Sequence, residues 1–151
     1  MKNKVFRIKN TDPILFQEIA KIHAYLPNIW DQVSTENIQM TISSLMKQSR
    51  ESRLILICAT DPKEGQLIGY CWGERDISQP ERLLIISTWV DKDFRNQKLA
   101  TKLKKKLEAY SKESGVRVIS TCVSPQNKEM ISLNESLGYT VSMVQMDKQL
   151  S

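Results

Sequence analysis

The chain has 151 residues, of which 40% are hydrophobic and 26% charged, so it is long enough for one domain with a core and short for two. No apolar run approaches the ~20 residues of a membrane-spanning helix, and the N-terminal MKNKVFRIKN lacks the apolar stretch of a secretory signal. We therefore expect a cytoplasmic protein whose three cysteines, Cys58, Cys71 and Cys122, are buried, reduced thiols. The net charge of +5 indicates an anionic partner without identifying it.

Apolar periodicity and turn residues divide the chain into alternating strands and helices. In chain order the predicted elements are a strand at 5–8, a helix at 13–26, a helix from Ser34 or Thr35, strands at 54–59, 67–72 and 83–90, a helix after Arg95, a strand at 116–123, a helix at 127–137 and a strand at 139–146. Asp12 followed by Pro13 is a typical helix start, and Gly115 and Gly138 are typical residues after a helix end. Strand–helix–strand units in the C-terminal half imply a parallel strand pair, so the predicted fold class is α/β (α+β) with a mixed sheet.

A strand-to-helix turn, FRNQKLATKL at 94–103, follows the buried run at 83–90. The first amides of a helix have no acceptor within the helix, and the helix dipole favours an anion beside them. Ala100 leaves room for a ligand near the backbone, and Arg95 and Lys98 add positive charge. These residues favour a phosphate-binding turn, with a solvated basic first turn as the alternative.

Two motifs resemble signatures of one enzyme family. Residues 95–100, Arg-Asn-Gln-Lys-Leu-Ala, are similar to the Arg/Gln-x-x-Gly-x-Gly/Ala pyrophosphate loop of the GCN5-related N-acetyltransferases (GNAT). Asn127, the short helix after it and Gly138-Tyr139 resemble the family's next signature. The resemblance extends over the whole chain and implies a single N-acetyltransferase-like domain at 1–151. Its mixed central sheet would be splayed between the fourth and fifth strands and flanked by about four helices.

The resemblance implies acetyl-CoA as co-substrate, with no metal. The pantetheine arm would hydrogen-bond to the backbone of 88–90, and the pyrophosphate would bind the loop amides. A backbone N–H of Trp89 or Val90 would face the thioester carbonyl as a small oxyanion hole. The residues implied to bind the cofactor are Trp89, Val90, Arg95, Asn96, Gln97, Lys98, Leu99, Ala100, Thr101, Asn127 and Asn134.

The sequence departs from the family pattern at two positions. Lys98 replaces the usual glycine, a change that costs little if this residue has helical dihedral angles. Asn134 replaces the tyrosine whose hydroxyl, in many members, protonates the leaving thiolate. An asparagine amide can donate a hydrogen bond to sulfur but cannot act as a general acid. We expect Asn134 to lie near the sulfur without transferring a proton.

The residue that removes a proton from the acceptor amine is not evident in the sequence. The strand at 83–90 contains Ser87 and Thr88 but no carboxylate, so a water relay through either hydroxyl is one hypothesis. Glu74, Asp76 and Glu81 flank the expected acceptor side. These three are either general bases or solvated loop charges.

Acceptor contacts are predicted at Trp30 and Trp72, for which core packing is the alternative. The lone His23 leaves no histidine-based metal site and no Ser-His triad. Three lysines lie off the apolar stripe of the helix after Arg95 and are predicted to be solvated, or to attract a phosphate of CoA or an acidic partner: Lys102, Lys105 and Lys106.

The predicted function is transfer of an acetyl group from acetyl-CoA to an amine of a small molecule or peptide, by direct attack in a ternary complex. No nucleic-acid or membrane partner is expected. A homodimer is one alternative, in which a neighbouring subunit completes the family's usual last hairpin. The competing hypotheses are a catalytically silent acyl-CoA-binding sensor or scaffold, and a basic interaction domain without a cofactor.

Overall fold

A computed structural model describes residues 3–27 and 33–151 of the chain. In chain order the elements are β1 (Lys4–Arg7), α1 (Pro13–Ala24), α2 (Thr35–Arg50), β2 (Leu54–Thr60), β3 (Leu67–Arg75), β4 (Arg82–Val90), a 3₁₀ helix (Lys92–Phe94), α3 (Leu99–Glu113), β5 (Val118–Thr121) and α4 (Lys128–Ser136).

The starts of α1 and α2 follow from local side-chain caps. The Asp12 carboxylate accepts a hydrogen bond from the Leu15 amide at 3.1 Å, and Pro13 occupies the first helical position. The Ser34 hydroxyl accepts from the Asn37 amide, also at 3.1 Å. Each cap satisfies an amide that has no acceptor within its own helix. Both predicted starts are confirmed.

The strands form one mixed sheet in the order β1-β2-β3-β4-β5. Neighbours from β1 to β4 are antiparallel, and β4 and β5 are parallel. The parallel pair is joined through α3, as the strand–helix–strand pattern requires. The predicted mixed α/β architecture with a splay between β4 and β5 is confirmed.

A β-bulge in β4 marks where the sheet opens. Ile85 lies opposite Gly73 of β3. Ser87 lies opposite Trp72, the adjacent β3 residue, so Ile86 is an additional residue on β4. Pairing between β4 and β5 ends at Ile85, one residue before the bulge. Since a bulge bends and twists its strand, it accounts for the divergence of β4 from β5.

One face of the sheet packs against α1 and α2. Tyr70 and Trp72 of β3 point into this layer, where Tyr70 is fully buried and Trp72 is 3% exposed. The cluster consists of Phe16, Ile19, Leu45, Leu56, Cys58, Leu67, Tyr70 and Trp72. Ile14 of α1 is 81% exposed although it is apolar. The buried side of α1 is therefore centred on Phe16 and Ile19.

The opposite face packs against α3. Side chains alternate along a strand, so Gly69, Cys71 and Gly73 point away from Tyr70 and Trp72. A Cβ atom on Gly69 would lie 3.1 Å from Cδ1 of Leu103, and one on Gly73 would lie 3.2 Å from Cδ1 of Leu107. The two glycines therefore allow α3 to approach the sheet closely.

The prediction of a strand at 139–146 is wrong for the described chain. This segment has no regular secondary structure, and four of its apolar side chains are strongly exposed: Val141 79%, Met143 86%, Val144 74% and Met146 89%. A strand requires a neighbour for its backbone N–H and C=O groups, and no strand of the described chain supplies one. Alternation of apolar residues was therefore not sufficient to predict a strand in this segment.

The fifth strand is also shorter than predicted, Val118–Thr121 rather than 116–123. Cys122 follows the end of this strand and is exposed, so the prediction of a buried thiol is wrong there. Cys58 and Cys71 are buried free thiols, as predicted. Burial raises the pKa of both thiols.

The chain divides into two compact units, Met1–Thr121 and Cys122–Ser151. The first contains the sheet with α1, α2 and α3, and the second contains α4 and the C-terminal segment. A single domain over 1–151 stays a prediction. Among the described helices, none combines the length and apolar character needed to cross a membrane.

Candidate functional site

The C-terminal half of β4 presents a free backbone edge. Residues 86–90 have no strand on their β5 side in the described chain. On the β3 side, the Asp91 amide donates to the Ile68 carbonyl at 2.8 Å. This makes Gly69 and Val90 a non-hydrogen-bonded pair of the antiparallel ladder. The N–H and C=O groups of Val90 therefore point away from β3, toward the opening.

The same alternation orients the other predicted backbone contacts. Thr88 lies two residues before Val90, so its N–H and C=O groups also face the opening. Trp89 lies between them and directs its N–H and C=O groups at Tyr70 of β3. Of the two predicted oxyanion-hole donors, the amide of Val90 is the one directed at the opening.

The loop after β4 is tethered to the end of that strand. Nε of Arg95 donates a hydrogen bond to the Val90 carbonyl at 3.1 Å. Asp91 caps the intervening 3₁₀ helix by accepting from the Asp93 amide at 2.9 Å. These contacts fix the direction in which the chain enters α3.

Two residues of the loop have left-handed backbone conformations. Asn96 has φ of +64° and Lys98 has φ of +60° with ψ of 23°. Lys98 is the N-cap of α3 and provides no side-chain cap. Lys98 therefore lacks the right-handed helical dihedral angles under which a lysine at this position would cost little free energy. Glycine would adopt this conformation without the steric cost that a Cβ atom brings.

A row of backbone amides in this loop lacks protein acceptors. Within residues 3–27 and 33–151, no acceptor is seen for the amides at 98–101. The amides at 99–101 are the first of α3, where the helix dipole favours an anion. The geometry is that of an anion-binding turn continuing from the free edge of β4. The loop residues predicted to bind the cofactor are Arg95, Asn96, Gln97, Lys98, Leu99, Ala100 and Thr101.

The lysines of α3 fall into two environments. Lys102, Lys105 and Lys106 are exposed, which matches their predicted position off the apolar stripe. Lys104 is 1% exposed, and burial lowers the pKa of its ammonium group. Glu108, one turn further on, has a raised pKa because it is partly desolvated. Burial of Lys104 was not predicted from the sequence.

Ser87 and Thr88 point to opposite faces of the sheet. The Ser87 hydroxyl lies 2.8 Å from the Tyr70 hydroxyl in the layer covered by α1 and α2. The Thr88 hydroxyl lies 3.4 Å from the Cys71 sulfur in the layer covered by α3. Burial raises the pKa of Tyr70, so its phenol remains protonated at neutral pH. A catalytic role for either hydroxyl stays a prediction, but the two cannot share one relay.

Buried polar side chains contact Trp72. Its indole Nε1 donates to Oε1 of Gln48 at 2.9 Å, and Nε2 of Gln48 donates to the Ser44 hydroxyl at 2.9 Å. The rings of His23 and Trp72 contact edge to face, with centroids 5.5 Å apart. Nδ1 of His23 is buried and has no hydrogen-bond partner among the described residues, and burial lowers the pKa of this side chain.

The acceptor roles of Trp72 and Trp30 stay predictions, and Trp30 lies outside the described residues. From the sequence, His23 was considered only as a metal ligand or triad member, and Gln48 was not predicted to be part of a site. Helical spacing offered a signal for His23, since it follows the buried Ile19 by four residues on α1.

The carboxylates suggested as general bases have structural contacts. Glu74 accepts from Nη1 of Arg53 at 2.6 Å. Asp76 accepts from the amides of Ser78 and Gln79 at 2.8 and 2.9 Å, and hydrogen bonds from Ser78 are the main cause of its lowered pKa. Glu81 is exposed. No group of three or more His, Cys, Asp or Glu side chains in the described ranges could hold a metal ion.

In the second unit, two predicted asparagines lie on α4. Asn127 is the N-cap, and its Oδ1 accepts from the Met130 amide at 3.2 Å. Asn134 is 5% exposed, and its Oδ1 has no hydrogen-bond partner in the described part of the chain. Gly138 follows the helix with φ of +93°, as expected for a residue just past a helix end.

Comparison with known proteins identifies the family. The acetyltransferase (GNAT) family model matches residues 21–139. The fold is similar to that of an aminoglycoside acetyltransferase, HMB0005, from an uncultured soil metagenomic sample, with TM-score 0.72, 16% sequence identity and 100% coverage of both chains. AAC(6')-Iy, in complex with the bisubstrate analogue CoA-S-monomethyl-acetylneamine, gives TM-score 0.73 and 14% identity over 100% of this chain and 99% of that chain.

Glucosamine-6-phosphate N-acetyltransferase from Arabidopsis thaliana gives TM-score 0.65 and 16% identity over 100% of both chains. No curated protein matches the sequence. The structural likenesses establish the fold, and the family match extends over most of the chain. The resemblance inferred from the two sequence motifs is therefore confirmed, and the chain belongs to the acetyltransferase (GNAT) family.

Proposed function

We propose that this chain transfers the acetyl group of acetyl-CoA to an amine of a small molecule, by direct attack in a ternary complex in the cytoplasm. The observation that carries the proposal is the outward-facing backbone of Thr88 and Val90 at the open edge of β4, followed by the unpaired amides at 98–101. Family membership supports the reaction class. The buried free thiols Cys58 and Cys71 are consistent with a reducing compartment.

The acceptor class is supported by the structural neighbours. By their names, two of them acetylate aminoglycosides and a third acetylates glucosamine-6-phosphate. All of these acceptors are small polar molecules with an amine. The acceptor of this chain is therefore proposed to be a small amine rather than a protein.

Residues of β4 and the loop would hold the co-substrate. When bound, acetyl-CoA supplies an activated acetyl thioester. The edge groups of Thr88 would pair with the amides of its pantetheine arm, as would the remaining lone pair of the Val90 carbonyl, and the loop amides would hold its pyrophosphate. The Val90 amide would face the thioester oxygen, where negative charge develops during attack. Arg95 would keep the Val90 segment in place through its contact with the Val90 carbonyl.

Proton transfer would depend on water rather than on a strong side-chain base. Ser87 is bonded to the protonated Tyr70, and Glu74 is paired with Arg53, so neither is free to accept a proton readily. Asn134 would lie near the leaving sulfur and donate a hydrogen bond through its amide. The unpartnered Oδ1 of Asn134 can only accept, so it would be available to an N–H group of a ligand.

The test places a charge in the phosphate-binding loop without disturbing the helix. Thr101 is the third residue of α3, a position where glutamate stabilises a helix and can reach back to the N-cap amide. Thr101→Glu should therefore leave thermal stability intact while abolishing the stabilisation by acetyl-CoA. The parent should gain roughly 2.7 kcal/mol at a ligand concentration of 100 times Kd.

Thr101→Gln is the matched control, since it has the same shape without the charge and should retain the shift. An equal shift for the glutamate and glutamine variants would contradict binding at this loop. Release of CoA thiol with a panel of small amines then tests turnover. Binding without thiol release would instead favour an acyl-CoA-binding sensor, for which the asparagine at 134 is the motivating feature.

A further inference from the structure

We propose that the free edge of β1 is a docking site for an acidic segment of another protein, which binds there in an extended conformation as an added strand. The inference is independent of acetyl transfer. It rests on two features that coincide along β1: backbone groups without partners, and positive charge on both faces of the strand. The residues that carry it belong to the compact unit Met1–Thr121.

The register between β1 and β2 shows which backbone groups of β1 are free. The Ile8 amide, just after β1, donates to a β2 carbonyl at 2.9 Å. By the alternation of an antiparallel ladder, Phe6 and Lys4 also form hydrogen-bonded pairs with β2. Val5 and Arg7 form the non-hydrogen-bonded pairs, so their N–H and C=O groups point away from β2. Since β1 is the first strand of the sheet, these groups face no other strand of the described chain.

Positive side chains lie on both faces of this edge. Lys4 is on the same face as Phe6, and its Nζ lies 5.3 Å from the centroid of the Phe6 ring. Arg7 is on the opposite face, toward α3. Lys9 follows the strand and is exposed, as is Lys4. A strand added to this edge would therefore have cations beside it on both faces.

Tyr110 of α3 brings another cation close to Arg7. The guanidinium carbon of Arg7 lies 5.2 Å from the centroid of the Tyr110 ring, and Nζ of Lys106 lies 5.9 Å from the same centroid. Nε of Arg7 is buried and has no hydrogen-bond partner among the described residues. In the part of the chain that the structure describes, neither Arg7 nor Lys106 forms an ion pair, nor do the two lysines beside β1. An external carboxylate would therefore find these cations unpaired.

The excess positive charge of the chain lies in these two elements. Residues 4–9 contain three cations and no acidic residue, and α3 contains five lysines and two glutamates. Their combined formal charge of +6 exceeds the net +5 of the whole chain. A negatively charged partner is therefore attracted to the side of the sheet where β1 and α3 meet.

An acidic peptide is the occupant that satisfies both features. An extended peptide offers C=O and N–H groups to Val5 and Arg7, and its carboxylates meet the surrounding cations. A nucleic acid would match the charge but not the alternating donors and acceptors of a strand edge. A second copy of the chain is disfavoured, because pairing of two β1 edges would bring like charges together. Lysines on an edge strand discourage such pairing of identical chains.

The first experiment measures binding of a probe peptide to the full chain by fluorescence anisotropy. The probe is fluorescein-labelled Glu-Glu-Val-Val-Glu-Glu-Val-Val with an amidated C-terminus, which has carboxylates on both faces when extended. We expect saturable binding that weakens as salt is added. The same peptide with lysine in place of glutamate should not bind. Absence of saturable binding of the acidic peptide at about 100 μM chain overturns the proposal.

A modified probe separates strand pairing from attraction between charges. N-methylation of the valines removes N–H groups from both edges of the peptide and leaves its charge unchanged. The methylated peptide should bind at least about 10-fold more weakly, because it cannot pair with β1. A single-stranded oligonucleotide of the same charge should be weaker by a similar factor of about 10. Equal binding of either probe would indicate only a basic surface and overturn the proposal.

A backbone variant locates the pairing on β1. Val5→Pro removes an outward-facing N–H group that β2 does not use, so pairing of β1 with β2 should persist while peptide binding weakens about 10-fold. Val5→Ala is the control, since it retains the N–H group and should bind like the parent. Circular dichroism checks that both variants are folded. A folded Val5→Pro variant that binds as tightly as Val5→Ala overturns the assignment to β1.

Charge reversal tests the same edge without altering the backbone. Lys4→Glu combined with Lys9→Glu should weaken peptide binding at least about 10-fold. Lys21→Glu combined with Lys47→Glu makes the same change of charge at exposed positions of α1 and α2, and should weaken binding less than about 3-fold. Equal losses in the two double variants would show that the peptide responds to net charge alone, which overturns the proposal.

Discussion

Lys98 holds a left-handed backbone conformation at the N-cap of α3, a conformation that costs an L-residue about 1–2 kcal/mol. Lys98→Gly should therefore raise the free energy of unfolding by about 1 kcal/mol, since part of the gain is offset by the flexibility of glycine in the unfolded chain. Urea denaturation measures the difference. Lys105→Gly, at an exposed right-handed position within α3, should instead lower it by about 1 kcal/mol. Losses of similar size in both variants would show that Lys98 is not strained.

His23 should make stability depend on pH below neutrality. Burial lowers its pKa from 6.5 in the folded state, so below about pH 6.5 the unfolded chain binds more protons than the folded chain. The free energy of unfolding should therefore fall as the pH drops through this window, whereas above pH 7 this effect is absent. Urea denaturation of the parent and of His23→Gln between pH 7.5 and 5 measures the difference in slope. Parallel curves would mean that His23 is protonated equally in both states.

At the scale of single elements, α4 allows a structural role and a ligand role of one residue to be separated. Asn127 caps the helix through its side-chain oxygen. Asn127→Ala should lower the free energy of unfolding by about 1 kcal/mol, whereas Asn127→Asp should retain the cap. Urea denaturation checks this. The predicted cofactor contact is tested by the acetyl-CoA thermal shift in the same variants, because a purely structural residue would leave that shift unchanged.

Elements with local signals could be predicted from the sequence. The starts of α1 and α2 depend on Asp12 and Ser34, whose capping partners lie within three residues along the chain. The prediction of a strand at 139–146 failed because a strand needs a pairing partner, and alternation of apolar residues does not show whether one is present. The overall fold was accessible because its helix and strand order is encoded in many such local signals.

The candidate site was only partly predictable. The loop at 95–101 was identified from its motif and its position after a strand. The orientations of Ser87 and Thr88 were not, because they depend on how β4 pairs with β3 around Ile86. Burial of Lys104 was missed for a related reason. Helical spacing predicts the side of α3 on which a side chain lies, but not whether the packing on that side is deep enough to cover a lysine.

At the scale of the whole molecule, the net charge of +5 should contribute to binding of an anionic ligand. Raising the salt concentration from roughly 50 to 500 mM should weaken acetyl-CoA binding roughly 10-fold, since exposed charges such as Lys98 and Lys102 are screened. Titration calorimetry measures the affinity. Acetyl-pantetheine lacks the phosphates of CoA and serves as the control. Equal salt dependence of the two ligands would contradict recognition of phosphate by these charges.

The opening beside β4 also has a consequence for how such a feature is encoded. β4 has one residue more than β3 where the two strands pair, and its ladder with β5 stops just before that residue, Ile86. A substitution alters a side chain but leaves the number of residues in a strand unchanged. The surplus therefore persists through substitutions that leave the register between β3 and β4 unchanged. At that register the opening depends on the number of residues in β4, so deletion of one residue beside Ile86 should remove it.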